Sequence, residues 1–333
     1  MNMSIGKLCH GEKNLISDVP GVRVGHTTID QGNCHTGVTV VLPPRHNPFT
    51  EKLTAASCVF NGFGKTLGLV QVDELGTLET PIALTNTLNV GKVHDAMVSY
   101  MADLCRADGV TLTSVNPVVC ECNDSRISDI IKRSVGEAEV LSAIATASED
   151  FAQGAVGAGR GTVCYGMKGG IGSSSRLMNI DGKVFTMGVL VQSNYGASAD
   201  FRDALLPPGL AESDQGSIIL ILATDLPLSA RQLKRVLRRT SVGMARLGSY
   251  IGHGSGEIAV GFTTARPEPA GSGFLTQTLL REEYMNIPFR AAGECVEEAI
   301  LQSMWHAEPD TALDGSRIPS LKEYLNTRKD IKP

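Results

Sequence analysis

The dipeptide Gly216-Ser217 is the point in this 333-residue chain where residue types and spacing most clearly suggest chemistry. A linker-like segment that contains proline, glycine and polar residues, 205–216, precedes it, and an apolar run, 218–223, follows. This layout is typical of a precursor whose serine hydroxyl attacks the carbonyl immediately before it, which glycine leaves unshielded. Gly-Ser pairs are also common in surface loops. The dipeptide therefore predicts either a self-cleavage site or an ordinary loop that enters a strand.

Cleavage before Ser217 would give an α chain, 1–216, and a β chain, 217–333. The new N-terminus would carry a hydroxyl nucleophile and a free α-amine on one residue. Because an α-amine has a reference pKa of about 7.7–8.0, it can act as a base near neutral pH. Ser249 also follows a glycine and is the rival cleavage site, but no long apolar run comes after it.

A second candidate group lies in the segment 253–257, whose sequence is His-Gly-Ser-Gly-Glu. Ser255 and Glu257 are two residues apart, so they share a face if the segment is extended. Such a pair can relay a proton from a nucleophile or orient an ammonium. The alternative is a tight turn with a solvated glutamate. His253 does not define a Ser-His-Asp triad, since no sequence spacing identifies one across folds; a catalytic histidine and a hydrogen-bonded loop histidine both stay open.

The elements that must position these groups mix strands and helices without a strict βαβ rhythm. Apolar runs predict strands over 37–42, 82–88, 117–121, 185–192, 218–223 and 256–262. Apolar residues at helical spacing predict helices over 93–106, 229–247 and 294–306. The glycine- and serine-rich segment 154–176 matches neither GxxxxGK[ST] nor a clean GxGxxG. We therefore expect that segment to be structural rather than nucleotide-binding.

Composition and charge limit the function classes. With 42% hydrophobic and 20% charged residues, the chain has an ordinary soluble globular composition. A formal net charge of −5 does not suggest a nucleic-acid or anionic-membrane partner. No signal peptide is visible, and no apolar run approaches the ~18 residues of a membrane span. The eight cysteines include no CxxC pair, so we expect reduced thiols in a cytoplasmic protein, without a metal site.

Along nearly its whole length the chain resembles the DmpA-type aminopeptidases, the L-aminopeptidase/D-esterase group that includes the β-peptidyl aminopeptidases. The segments that carry the resemblance are DVPGVRVGH (18–26), NGFG (61–64), TPIALTN (80–86), VCECND (119–124), VQSNYG (191–196), GSII (216–219), ATDLPL (223–228), GSGE (254–257) and EEAI (297–300). The resemblance implies a single α/β domain, a four-layer αββα sandwich resembling N-terminal-nucleophile hydrolases. It also implies cleavage into 1–216 and 217–333 and assembly as a homotetramer.

The resemblance assigns roles to individual positions. It implies the cleavage and nucleophile serine at Ser217, the second active-site serine and glutamate at Ser255 and Glu257, the oxyanion-hole asparagine at Asn194 and the substrate-amine glutamate at Glu121. One departure is visible near the substrate site: Asn123 stands where some members have tyrosine. This puts in doubt a tyrosine-assisted step and the substrate preference of those members.

The combined hypothesis is a self-processing serine aminopeptidase or amidase that hydrolyses short peptides, amides or esters without a cofactor. One alternative is an acyltransferase or a nylon-oligomer hydrolase of a related autocleaving fold, although those enzymes use threonine at the new N-terminus. The other is an uncleaved binding or scaffold protein. The sequence does not set L- against D-residues, α- against β-amino acids, or amides against esters.

Overall fold

The computed structural model describes residues 5–201, 215–269 and 272–329. Within these ranges the helices are α1 (Leu69–Leu75), α2 (Val90–Ala107), α3 (Glu137–Ala145), α4 (Ala230–Leu237), α5 (Thr240–Arg246), α6 (Asn286–Trp305) and α7 (Leu321–Lys329). The strands are β1 (Arg23–Gln31), β2 (Cys34–Leu42), β3 (Leu53–Gly62), β4 (Thr77–Leu78), β5 (Ile82–Asn86), β6 (Val118–Cys122), β7 (Val163–Cys164), β8 (Met167–Lys168), β9 (Gly170–Ile180), β10 (Lys183–Asn194), β11 (Gln215–Thr224), β12 (Gly254–Thr263), β13 (Glu268–Pro269), β14 (Leu275–Thr276), β15 (Asp310–Thr311) and β16 (Arg317–Ile318).

Two stacked sheets form the centre of the molecule. One has the strand order β1-β2-β5-β6 and the other β4-β3-β12-β11-β10-β9. An apolar core between them includes Leu84 from the first sheet and Ile219 and Phe262 from the second. Helices α2 and α3 cover the outer face of the first sheet, while α4, α5 and α6 cover that of the second. The αββα sandwich that the sequence predicted is therefore confirmed.

Two helix predictions need correction. The helix expected over 229–247 is two helices, α4 and α5, which are interrupted at Arg238 and Arg239, and α5 packs against α6. Gly243 marks that crossing, since a Cβ there would lie 2.7 Å from the Gly293 carbonyl oxygen. The helix expected from 294 begins at Asn286, and Pro288 is tolerated in its first turn, where the missing N–H costs no hydrogen bond. No helix in the described ranges is long and apolar enough to cross a membrane.

The glycine- and serine-rich segment 154–176 includes the start of the buried strand β9. Its serines join distant parts of the fold: Ser173 Oγ accepts from the Ile16 N–H at 2.7 Å, and Ser174 Oγ donates to the Cys295 carbonyl at 2.7 Å. Gly172 lies where α6 packs closely, because a Cβ there would overlap the Ala299 carbonyl oxygen. These contacts give the segment a structural role.

Strand register brings the functional candidates to one end of the sandwich. Asn194 of β10 pairs with Ser217 of β11 in an antiparallel ladder. In the parallel ladder between β11 and β12, Gly216 pairs with Ser255. Glu121 lies near the end of β6, and the Cys122 thiol that follows it reaches across the core to the Ser217 carbonyl oxygen at 3.3 Å. The ends of β6, β10 and β11 therefore meet.

Candidate active site

A cavity of about 530 Å³ opens where β6 and β10 end and β11 begins. This volume lies in the range of small-molecule sites. The residues that line it are Phe63, Lys65, Thr87, Glu121, Asn123, Ser125, Arg126, Val163, Gly166, Asn194, Gly196, Gly216, Ser217 and Gly254. The cavity therefore collects five of the seven residues to which the sequence gave a role.

Ser217 lies at the wall of the cavity with 5% of its surface exposed. Its hydroxyl donates to the Gly216 carbonyl oxygen at 2.6 Å. Gly256 pairs with Ser217 in register and leaves room for this hydroxyl, since a Cβ at Gly256 would lie 3.1 Å from Ser217 Oγ. The nucleophile candidate thus rests beside the carbonyl group that self-cleavage would attack, and such proximity lowers the barrier to reaction.

Gly216 adopts a backbone conformation that disfavours any other residue. Its φ is +144°, and a Cβ at this position would overlap the Asn194 carbonyl oxygen. A glycine is needed here both for the backbone angle and for the close approach of β10. Residues 205–214 of the preceding linker-like segment lie outside the described residues.

Asn194 presents an amide to the same cavity. Its Oδ1 accepts from the Val163 N–H at 2.9 Å. Because a backbone N–H can only donate, this contact fixes which amide atom is the oxygen and leaves the NH₂ group as a donor. An amide NH₂ that is held in place can stabilise the negative oxygen of a tetrahedral intermediate.

A buried lysine organises the segment that carries Val163. Lys168 is fully buried, and its Nζ donates to the carbonyl oxygens of Gly159, Thr162 and Gly169 at 3.2, 2.9 and 3.0 Å. Burial lowers the pKa of Lys168 to about 7, but only the charged ammonium has enough N–H groups for all three carbonyls. The ammonium therefore holds this segment, and through Val163 it supports Asn194.

Glu121 is a buried carboxylate whose described partners are neutral. Its Oε1 accepts from the Lys65 N–H at 2.9 Å, and its Oε2 accepts from the Thr87 hydroxyl. No lysine or arginine of the described ranges lies within ion-pair distance of it. A buried charge without a counter-ion is costly, so this position suits the ammonium group of a ligand.

Asn123 lies on the exposed rim of the cavity. Its Oδ1 accepts from the Ser125 N–H at 2.9 Å, which shapes the turn after β6. This position therefore offers an amide, not a phenol, to a substrate.

Ser255 and Glu257 lie outside the cavity lining. Both are fully buried in β12, which confirms that the segment is extended and shows that the solvated-glutamate alternative is wrong. Strand alternation places them on the helix-covered face with Ala259, whereas Ser217 shares the inter-sheet face with Ile219. Ser255 is still the register neighbour of Gly216, and its hydroxyl has no hydrogen-bond partner among the residues described.

The other two residues weighed in the β half lie away from the cavity lining. His253 is exposed in the turn before β12, and its carbonyl oxygen accepts from Asn61 Nδ2 at 3.1 Å. Ser249 follows α5, and its Oγ accepts from the Ile251 N–H at 3.2 Å. Ser249 therefore lacks the strand setting that surrounds Ser217.

Several residues of the site were not identified from the sequence. Phe63 lies within the matched segment 61–64, and Thr87 lies near the end of the strand predicted over 82–88, so both positions could have been considered. Lys168 is a lone cation in a glycine-rich, apolar stretch, which is a signal for a buried charge. Arg126 carried no local signal, because only the fold brings it to the cavity.

A family model described as peptidase family S58 matches residues 14–318. The chain belongs to peptidase family S58. The β-peptidyl aminopeptidase BapA of Sphingosinicella microcystinivorans is 35% identical over an alignment of 346 residues including gaps. The alignment covers 93% of this chain and 86% of that protein. The resemblance to DmpA-type aminopeptidases is thereby confirmed, and this S58 peptidase is an aminopeptidase.

Solved structures agree with this assignment. The PH0078 protein from Pyrococcus horikoshii OT3 superposes with a TM-score of 0.90 and 42% identity, covering 98% of this chain and 96% of that one. The L-aminopeptidase D-Ala-esterase/amidase from Ochrobactrum anthropi gives a TM-score of 0.86 and 32% identity, covering 97% and 96%. That enzyme is described as a new variant of the Ntn hydrolase fold, in agreement with the sandwich of this S58 peptidase.

Proposed function

We propose that this S58 peptidase cleaves itself between Gly216 and Ser217 and then uses Ser217 to remove the N-terminal residue from short peptides, amides or esters. The observation that carries the proposal is the 2.6 Å contact between the Ser217 hydroxyl and the Gly216 carbonyl oxygen. This contact lies at the wall of a cavity that also contains Asn194 and Glu121.

Self-cleavage begins when Ser217 Oγ attacks the Gly216 carbonyl carbon. The Gly216–Ser217 C–N bond breaks as the hydroxyl proton passes to the leaving nitrogen, and an ester joins Gly216 to Ser217 Oγ. Water then hydrolyses the ester, releasing a Gly216 carboxylate and restoring the Ser217 hydroxyl beside a new α-amine. Gly216 favours this sequence because its unshielded carbonyl and positive φ expose the bond.

Peptide hydrolysis repeats the chemistry on a substrate. Glu121 binds the N-terminal ammonium, and Ser217 Oγ attacks the carbonyl of the first residue while the Ser217 α-amine accepts the hydroxyl proton. The Asn194 amide donates to the negative oxygen; one such donor contributes about 10²–10³-fold to kcat. The proton passes to the leaving amine, and water releases the acyl group from Ser217.

Ser255 and Glu257 act from the face of the sheet opposite the Ser217 side chain. The buried Ser255 hydroxyl neighbours Gly216 in the strand register, so it is placed to bind the α-amine that cleavage creates and to relay its proton. The Glu257 carboxylate adds negative charge two residues further along β12 and favours the protonated amine during turnover.

Substrate class and assembly follow the relatives. BapA is a β-peptidyl aminopeptidase by name, so peptides with an N-terminal β-residue belong beside L- and D-α-residues in a first substrate panel. Asn123 at the rim replaces a tyrosine of some relatives, and it contacts the substrate as an amide donor or acceptor. The active form is a cytoplasmic homotetramer of cleaved protomers that needs no cofactor.

The test is hydrolysis of amino-acid p-nitroanilides by the wild type, Ser217→Ala and Ser249→Ala. We expect Ser217→Ala to remain uncleaved and inactive, while Ser249→Ala, which removes the rival serine that follows Gly248, keeps both self-cleavage and activity. The proposal fails if Ser217→Ala still cleaves and hydrolyses. Product analysis with and without an added amine acceptor distinguishes hydrolysis from acyl transfer; serine rather than threonine at position 217 favours hydrolysis.

A further inference from the structure

The cavity contains charged side chains of both signs that do not form ion pairs with one another among the described residues. Glu121, Lys65 and Arg126 all line it. The carboxylate of Glu121 accepts only from neutral donors in the described ranges. Lys65 and Arg126 are both exposed and form no ion pair within the described ranges; the charge that interacts with Arg126 there is the Asp314 carboxylate, whose pKa is lowered by hydrogen bonds from Ser316 and by the charge of Arg126. A ligand that carries both an ammonium and a carboxylate would match this pattern.

Arg126 projects from a loop that is held on both sides. The Arg126 carbonyl accepts from the Leu313 N–H at 3.0 Å, and the next residue, Ile127, is buried against Ala312 and Ile318. Before it in the chain, buried Asp124 Oδ2 accepts from Thr36 Oγ1 at 2.5 Å. Because its backbone is fixed, only the side chain of Arg126 has to be ordered when a ligand binds, which limits the entropic cost of binding.

Lys65 and Arg126 differ in what they offer an anion. The Lys65 ammonium lies 4.7 Å from the centre of the Phe63 ring, and its backbone N–H binds Glu121. It therefore already has an aromatic partner and adds positive potential at the cavity wall. Arg126 has a planar guanidinium that can bind both oxygens of one carboxylate. Arg126 is the better anchor, with Lys65 in support.

We infer that Arg126, supported by Lys65, forms a carboxylate subsite, and that the preferred substrates are short peptides with a free C-terminal carboxylate. This inference rests on the proposed roles of Ser217 and Glu121. The substrate ammonium binds Glu121, the first carbonyl lies between Ser217 and Asn194, and the departing residue directs its carboxylate to Arg126. A cavity of about 530 Å³ suits a dipeptide or tripeptide.

The experiment compares Ala-Ala with Ala-Ala-amide, which share the scissile bond and differ in the terminal carboxylate. The ratio of the two kcat/KM values is measured for the cleaved wild type, Arg126→Gln, Arg126→Lys and Lys65→Gln. Comparing this ratio between variants cancels the different leaving-group chemistry of the two substrates. Arg106→Gln is the matched control, because Arg106 is exposed on α2 and lies outside the cavity lining.

We expect the acid-to-amide ratio to fall about tenfold in Arg126→Gln, as for the loss of one charge-assisted hydrogen bond. Arg126→Lys should keep part of the preference, Lys65→Gln should lose less than Arg126→Gln, and Arg106→Gln should match the wild type. Raising the salt concentration should lower the ratio in the wild type and change it little in Arg126→Gln, because salt screens partly exposed charges.

Three outcomes would overturn the subsite. The first is an acid-to-amide ratio in Arg126→Gln equal to that of the wild type. The second is a fall of this ratio in Arg106→Gln as large as that in Arg126→Gln. The third is a preference for a negative charge on the first residue of the substrate instead of at its C-terminus. The last outcome is tested with aspartic acid α-amide, whose leaving group is neutral. If the wild type hydrolyses neither dipeptide, or Ser217→Ala hydrolyses both, the proposed function itself has failed, and that result is distinct from a lost preference.

Discussion

Asn194 and Ser217 face each other as a cross-strand pair at the end of the ladder between β10 and β11. The pairs that follow, beginning with Ser193 and Ile218, continue in unbroken register. Directly opposed residues in an antiparallel ladder project to the same face of a sheet. The amide and the hydroxyl are therefore aligned by the sheet, and groups on sheets are held more rigidly than groups on loops.

Asn194→Ala tests this alignment. We expect kcat on amino-acid p-nitroanilides to fall about 10²–10³-fold with a smaller change in KM, because the lost amide donor acts mainly in the transition state. Asn179→Ala is the matched control, since Asn179 is an exposed asparagine on β9. An Asn194→Ala enzyme with wild-type kcat would remove Asn194 from the oxyanion site.

Gly216→Ala tests the conformation at the cleavage site. The new Cβ would overlap the Asn194 carbonyl oxygen, and the backbone φ at this position is +144°, so we expect slower self-cleavage. The rate of cleavage is measured by intact-protein mass spectrometry over time. Gly182→Ala is the control, because Gly182 has a φ of +76° but open space around it. Processing of Gly216→Ala at the wild-type rate would show that this conformation does not matter for cleavage.

Lys168→Met tests whether the buried ammonium acts through Asn194. We expect about a tenfold loss of kcat in the wild-type background and less than about a twofold loss in Asn194→Ala, because coupled residues are non-additive. Lys168→Arg should restore part of the activity, and the exposed Lys183→Met is the control. Equal losses in both backgrounds would mean that Lys168 supports folding alone.

His26 gives a prediction for stability against pH. Burial lowers the pKa of His26 to about 4, below its unfolded value of about 6.5. Its neutral form therefore contributes stability above pH 6.5, and this contribution is lost as the pH falls toward 4. Between pH 7 and 4.5, urea unfolding should show a drop on the order of 2 kcal/mol larger in the wild type than in His26→Gln.

The exposed His10→Gln is the control for this pH dependence, because the His10 ring contacts the Gly11 carbonyl oxygen and has no described carboxylate partner. Parallel pH profiles for the wild type and His26→Gln would show that His26 does not titrate differently on folding. Asp124, whose pKa burial raises to about 6, is present in every variant and cancels in the comparison.

Much of the fold could be predicted because it follows local patterns. The apolar run 218–223 became the centre of β11, and the helical spacing over 93–106 became α2. The break between α4 and α5 at Arg238 and Arg239 could not be predicted, because the local sequence there contains neither glycine nor proline. The order of strands in each sheet depends on contacts between distant segments.

The residues of the site also divide into those that local sequence identifies and those that it does not. Gly216 and Ser217 stood out from their own chemistry, whereas Glu121, Asn123 and Asn194 were identified through the family resemblance. The two-residue spacing of Ser255 and Glu257 predicted their shared face, but only the β11–β12 register shows that this face lies opposite Ser217. Arg126 reaches the cavity through tertiary contacts that no local pattern contains.

The central claim is self-cleavage by Ser217, and intact-protein mass spectrometry of the purified wild type and Ser217→Ala tests it most directly. The wild type should give two species, residues 1–216 and residues 217–333, while Ser217→Ala stays full-length. A wild-type protein that stays full-length after days at neutral pH and still hydrolyses peptides would contradict the account. So would cleavage of Ser217→Ala at the same bond.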